Sequence, residues 1–236
     1  MDINGARVLV AGATGALGAA LTAELVRQGA RPAIAGRDRS RLSRITGAHP
    51  GVPTVLFDAY DPASCARAVR VAAGELGGLD AVVTAFGTVA FGTADKVGDE
   101  VAEHLMAVNF LAPAAFFRAA LDVLSEGSVI AALTGVVAER PQPGMADYSA
   151  SKAALGAWLD AVRREARGSG IRVLDIRPGH LNTGFADRAV SGTAPPMPPG
   201  GDPDRLVGAV VTALATDGER LRTAPDGEPV VERRAR

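Results

Sequence analysis

The chain has 236 residues, with 25 Lys plus Arg against 26 Asp plus Glu and a net charge of −1. Such a balance supplies no broad positive field, which excludes the usual mode of nucleic-acid binding. The single cysteine, Cys65, excludes an intrachain disulfide and a cysteine metal cluster. Residues 1–7 lack the charged start and apolar core of a signal peptide, and no segment is expected to supply the ~20 apolar residues of a membrane span. A cytoplasmic protein with no membrane partner is the expectation.

In chain order, short apolar runs at Arg7–Ala11, Pro32–Ala35, Thr54–Phe57, Ala81–Thr84, Val129–Leu133 and Arg172–Ile176 predict strands. Helix-period stretches lie between them, near Ala16–Gln28, Pro62–Glu75, Gly98–Leu124 and Tyr148–Arg167, and another follows at Arg205–Ala215. Strand–helix alternation with continuously apolar strands builds a parallel sheet covered on both faces, a doubly wound α/β single domain. Pro229–Val231 is a candidate edge strand. The segment 184–203 contains Ala194-Pro195-Pro196-Met197-Pro198-Pro199-Gly200-Gly201, which suits neither helix nor central strand. A loop of that length is expected to be a substrate lid, a disordered segment, or both.

Three glycines, Gly12, Gly15 and Gly18, fall where the first strand turns into its helix. There the backbone of Gly12, Thr14, Gly15, Ala16, Leu17 and Gly18 can approach a pyrophosphate at the positive end of the helix. A tight turn without ligand is the alternative. After the second strand comes Ala35-Gly36-Arg37-Asp38. Gly36 leaves no carboxylate at the position that would bind a free ribose 2′-hydroxyl, and Arg37 offers a forked cation for a 2′-phosphate, so NADP(H) is expected over NAD(H). Asp38 keeps NAD open, and an exposed loop arginine is the plainer reading of Arg37.

Tyr148 and Lys152, in Asp147-Tyr148-Ser149-Ala150-Ser151-Lys152, lie one helical turn apart and share a face. A phenol is a weak base at neutral pH, and a neighbouring ammonium favours its ionised form. In the reductive direction the phenol gives its proton to a developing alkoxide.

Taken together, the glycine turn and the Tyr-x-x-x-Lys helix in this order resemble the short-chain dehydrogenase/reductase family over residues 5–185. The resemblance implies a Rossmann-like domain and a nicotinamide-dependent oxidoreductase interconverting a carbonyl and a secondary alcohol on a small molecule. It makes Tyr148 the acid/base and Lys152 the ribose-binding partner that lowers the tyrosine pKa. It also makes Asn109 the support of a proton-relay water and Asp58 the adenine contact. Ala85 and Gly87 would line the cofactor after the fourth strand, and Pro178, Gly179 and Thr183 would meet its carboxamide end. The helices carrying Asn109 and Tyr148 would form subunit contacts in a homodimer or homotetramer; the latter helix is apolar around more of its circumference than one core contact needs.

Three departures stand out. Ala11 replaces a leading threonine, Thr84-Ala85-Phe86-Gly87 replaces the usual Asn-Asn-Ala-Gly, and Gly135 stands where the family serine polarises the carbonyl, thirteen residues before Tyr148. Thr134 is the candidate replacement for that hydroxyl. Without one, the fold could serve as a non-catalytic NADP-binding sensor or scaffold, or run a non-redox isomerase or dehydratase reaction. No metal site is expected. His49, His104 and His180 read as turn, helix-surface and loop residues, and Cys65 as a small buried filler.

Overall fold

A computed structural model describes residues 1–224 and 227–233. The elements are β1 (Arg7–Ala11), α1 (Ala16–Arg27), β2 (Arg31–Gly36), α2 (Arg39–Ala48), β3 (Thr54–Leu56), α3 (Pro62–Leu76) and β4 (Ala81–Thr84). They continue with α4 (Asp99–Met106), a π-helical turn (Ala107–Leu111), α5 (Ala112–Leu121), β5 (Val129–Leu133), α6 (Ala146–Glu165), β6 (Arg172–Arg177), α7 (Pro203–Ala215), β7 (Gly218–Thr223) and β8 (Pro229–Arg233).

Among the described residues the strands form one sheet in the order β3-β2-β1-β4-β5-β6-β7-β8. All neighbours are parallel except β7 and β8, which pair antiparallel. The strands read as apolar runs because both faces are covered. On one side Leu9, Val82, Ile130 and Val173 meet α3, α5 and α6; on the other Val8, Val10, Val83 and Leu174 meet α1 and α7. The order reverses between β1 and β4, so the two strands part at their C-terminal ends and open the crevice where α/β sheets of this kind take ligands.

Three elements escaped the sequence pattern. Helix α2 carries only Leu42 as a buried residue, so it lacks an apolar stripe, and it begins because Asp38 caps it, accepting from the backbone N–H of Ser40 and Arg41. Strand β7 reads Gly-Glu-Arg-Leu-Arg-Thr, with only Gly218 and Leu221 buried, and its three charges hide the pattern. The expected helix from 98 to 124 is one continuous run, Asp99–Leu121, but it is widened by the π turn at Asn109. This run is long and apolar enough to cross a membrane, against the expectation that no segment would be. More than half of its most apolar 18-residue window is buried in the protein, with Phe116 and Phe117 fully enclosed against the sheet.

Cys65 is buried on α3, and burial pushes its thiol up to about 12. An open hollow of about 450 Å³ lies between the end of α1 and the starts of β2 and β3, beside Arg31 and Val52. It is at the N-terminal edge of the sheet, opposite the crevice.

Candidate active site

The candidate site residues that follow strands lie at the C-terminal edge of the parallel sheet. Gly12 follows β1, Arg37 follows β2, Asp58 follows β3, Ala85 and Gly87 follow β4, Thr134 follows β5, and Pro178 and Gly179 follow β6.

The glycine turn is shaped for close approach. Gly12 has φ +89, and a Cβ on it would stand 2.7 Å from Phe86 Cβ and 2.8 Å from its backbone nitrogen. At Gly18 a Cβ would stand 2.8 Å from the Gly12 carbonyl carbon and 2.9 Å from Ala13 Cα. The turn therefore closes on itself, with Gly15 N–H donating to Gly12 O at 3.0 Å. Gly15 caps α1 without a side chain, and no acidic residue occupies the first turn. The N–H groups at Ala16, Leu17 and Gly18 consequently point outward with no intrahelical acceptor, which fits a phosphate.

The far end of the crevice separates Arg37 from Asp38. Asp38 Oδ1 takes the N–H of Ser40 at 2.9 Å and of Arg41 at 3.1 Å, with the Ser40 hydroxyl at 2.7 Å, and these bonds hold its carboxyl below the usual range. Arg37 is exposed and has no hydrogen-bonded or ion-pair partner among the described residues. At Gly36 a Cβ would lie 3.2 Å from Thr14 Cγ2 and 3.3 Å from Leu42 Cδ2, so a longer side chain must displace the phosphate turn or α2. Asp58 is exposed, with Oδ1 accepting the Tyr60 N–H at 2.9 Å. Beside these residues the Tyr60 hydroxyl and His104 Nδ1 are hydrogen-bonded, their rings 5.7 Å apart. Burial, with Arg37 nearby, lowers the His104 pKa. His104 is thus half-buried and paired with Tyr60, and not a solvated helix surface.

At the chemical end, α6 presents Tyr148 and Lys152 one turn apart. Tyr148 is half-buried, its ring 6.4 Å from that of Phe185, and its hydroxyl has no hydrogen-bond partner among the described residues. Burial raises its pKa. Lys152 is buried and donates to Leu133 O at 2.9 Å; desolvation pulls it down to about 8 against the opposing pull of Asp175. Gly87 makes room for this ammonium, since a Cβ there would be 3.1 Å from Lys152 Nζ and 3.0 Å from Asn109 Oδ1.

Asn109 is fully buried, and its side chain is spent on scaffold. Its Oδ1 accepts Thr88 N–H at 2.9 Å, and its Nδ2 donates to Thr88 O at 2.9 Å and Ser151 Oγ at 3.0 Å. Ser151 Oγ in turn donates to Tyr148 O at 2.8 Å. The amide thus ties the loop after β4 to the helix of the tyrosine, and Ser151 was the partner the sequence did not disclose.

Thr134 is 1 % exposed, and its hydroxyl is engaged within the fold, donating to Asp175 Oδ1 at 2.5 Å. Gly135 adopts φ +91, a left-handed backbone that a side chain resists, although a Cβ would meet nothing closer than 3.8 Å.

Beyond β6, Gly179 N–H donates to Thr223 Oγ1 at 3.0 Å, and the half-buried Thr183 leads into the long loop. That loop is clipped across the crevice mouth. Val190 N–H donates to Val89 O and Phe91 N–H to Ser191 O, both at 2.9 Å, while Asn182 brackets Gly200 with both amide groups. Gly192, at φ +72, lies so close that a Cβ would stand 2.7 Å from the Phe91 carbonyl carbon.

A sequence profile of the short chain dehydrogenases matches residues 6–193. The chain belongs to the short-chain dehydrogenase/reductase family. Within that family it is 28% identical over 242 residues to an Anopheles gambiae dehydrogenase/reductase SDR family protein 7-like, covering 94% of this chain and 76% of that one. It is 30% identical over 185 residues to the 2,3-dihydro-2,3-dihydroxybenzoate dehydrogenase of Escherichia coli strain K12, covering 78% and 72%. Among solved structures, a short chain dehydrogenase from Burkholderia cenocepacia J2315 in complex with NADP superposes with a TM-score of 0.83 at 26% identity, over 96% of this chain and 91% of that one.

Proposed function

We propose that this short-chain dehydrogenase/reductase interconverts a carbonyl and a secondary alcohol on a small organic molecule, with NADP(H) preferred over NAD(H). The observation that carries the reading is the unpartnered Tyr148 hydroxyl in the crevice, one turn from an ammonium bound to Leu133 O. NADPH, when bound, would supply the hydride. The chain's own part is to hold the phosphates at the α1 turn, receive the 2′-phosphate on Arg37, and place the Tyr148 phenol against the carbonyl oxygen. As charge develops there, the phenol donates its proton, and Lys152 stabilises the phenolate left behind. With Thr134 turned to Asp175, Tyr148 is the donor that polarises the carbonyl. Phe185 and the loop 184–203, clipped over the mouth, would act as the lid that excludes water.

The freedom of Arg37 and the engagement of Asp38 support the NADP preference, as does the NADP complex of the Burkholderia structure. The Escherichia coli relative, by name a dehydrogenase of a small hydroxylated molecule, supports the reaction class. On the outer side, Ala150, Ala157 and Ala161 of α6 and Leu111 of the π turn are exposed and fit a homodimer or homotetramer contact. A second reading, an NADP-binding protein without turnover, is favoured by the commitment of Thr134.

The test is NADPH oxidation followed by absorbance against a panel of ketones and aldehydes, with Tyr148→Phe as control. Turnover lost in Tyr148→Phe while NADPH affinity persists is the expected result. Tight NADPH binding with no turnover on any substrate would favour the binder, and product formation without absorbance change would point to an isomerase or dehydratase.

A further inference from the structure

Asp175 has no part in the reading above, yet it is fully buried in β6 and lies in a polar seam beneath α6. Its Oδ1 receives the Thr134 hydroxyl at 2.5 Å, and its Oδ2 receives the Arg177 guanidinium from Nε at 2.6 Å and Nη2 at 2.5 Å. Arg177 is 7% exposed and also pairs with Glu139, which in turn binds Arg222 at 2.6 Å. Burying this much charge is costly, and a well-packed apolar cluster would stabilise β6 at least as well. A role in the site gives a reason for it.

The placement supplies that role. Lys152 is bonded to the carbonyl of Leu133, the residue immediately before Thr134, while Ala132 and Asp175 are register partners between β5 and β6. One turn along α6 on the same face, Gly156 lies directly on the pair: a Cβ there would be 4.0 Å from Asp175 Oδ2 and 3.5 Å from Arg177 Nη2. Asp175 therefore sits under the ammonium from the β6 side. From the other elements the crowding groups are the Asn109 amide and the Gly87 backbone, both uncharged, and Tyr148 stands one turn back on α6 itself. Glu139 reaches the seam through Arg177, and Asp160, two turns along α6, is paired with Arg163 and Arg220.

We propose that Asp175, fixed by Thr134 and Arg177, is the buried counter-charge of Lys152, a positioning residue that holds the ammonium on the Leu133 carbonyl. This rests on the oxidoreductase reading for its purpose, while the counter-charge itself is independent of turnover. Among the elements against the ammonium, Asp175 is the anion in place to offset desolvation, which agrees with its opposing effect on a Lys152 titration lowered to about 8.

The chain has two lysines, Lys96 and Lys152, so the titration can be read directly by NMR on protein carrying ¹³C-labelled lysine, with Lys96→Arg for assignment. Asp175→Asn should move the Lys152 midpoint down by about one unit or more, since an opposite charge nearby is worth that much. Arg177→Gln, which removes the cation and leaves the carboxylate, should move it up. In the active enzyme the alkaline limb of kcat should follow the same shifts, with thermal melts showing that each variant is folded. A Lys152 midpoint unmoved in folded Asp175→Asn, or shifts of the same sign in both variants, would overturn the assignment. If Asp175→Asn does not fold, the absence of a rise in Arg177→Gln would overturn it alone. Failure of the parent to reduce any carbonyl would refute the reaction but leave the NMR shifts unaffected, so the two failures are distinguishable.

Discussion

The proposed preference for NADP(H) rests on one side chain. Arg37→Ala removes an exposed guanidinium that has no partner among the described residues, so the change breaks no native ion pair and leaves no buried group unsatisfied. Its cost should fall almost wholly on the 2′-phosphate. Hydrogen bonds to charged groups contribute about 1.5–3 kcal/mol, and exposure places this one at the lower end, so NADPH affinity should fall by about tenfold. NADH has no 2′-phosphate and should bind the variant as it binds the parent. Asp38 cannot take over the ribose in the variant without giving up the caps on Ser40 and Arg41 that begin α2. Fluorescence titration of both nucleotides checks this, at low salt and again near ~0.5 M, where screening should shrink the parent's preference. NADH binding the parent as tightly as NADPH, or a preference untouched in Arg37→Ala, would refute the reasoning.

Three further outcomes follow from the geometry. Thr134→Val should change kcat by less than about tenfold, in place of the ~10²–10³ expected of a lost oxyanion donor, and its main effect should be a lower melting temperature as Asp175 loses its hydroxyl partner. Gly192→Ala should release the loop from Phe91, raising KM and lowering kcat together while nucleotide affinity stays close to that of the parent. Carbonyl reduction should decline as pH rises through about 8, where the Lys152 ammonium is lost. Because that pKa lies below the free value of about 10.4, the folded chain binds fewer protons than the unfolded one between those limits, and this group's contribution to stability should rise with pH across that window.

The sheet and the crevice were legible because parallel strands buried on both sides write continuous apolar runs, and because phosphate turns need glycine where Cβ atoms would collide. Tyr148 and Lys152 were legible for the same kind of reason, a fixed helical spacing. Thr134 misled because adjacency to Gly135 in sequence says nothing about facing: at the end of a strand successive side chains alternate, and the hydroxyl turned to β6. Asp175 and Arg177 were silent in a run read only for its apolar residues. Their meaning depends on α6 crossing above them, which no local pattern encodes. Helix α2 and β7 were missed because a cap defines the one and three charges interrupt the other, with no apolar periodicity in either.

The ends of the sheet bear on how copies of this chain can meet. One margin is β3, three residues long, and the other is β8, which covers β7 and exposes Val230 and Arg233, with Glu232 half-buried between them and its partner strand's arginines. Arg222 and Arg220 hold Glu232 in ion pairs on the same hairpin. A stub at one side and a charged, self-paired ribbon at the other offer poor templates for strand addition from a second molecule. Continuous sheets running from chain to chain, and the fibrous growth they permit, are therefore disfavoured. The homodimer or homotetramer proposed above would instead use the helical flank, where the exposed Leu111 and alanines of α6 would let two backbones approach without exchanging a ladder hydrogen bond.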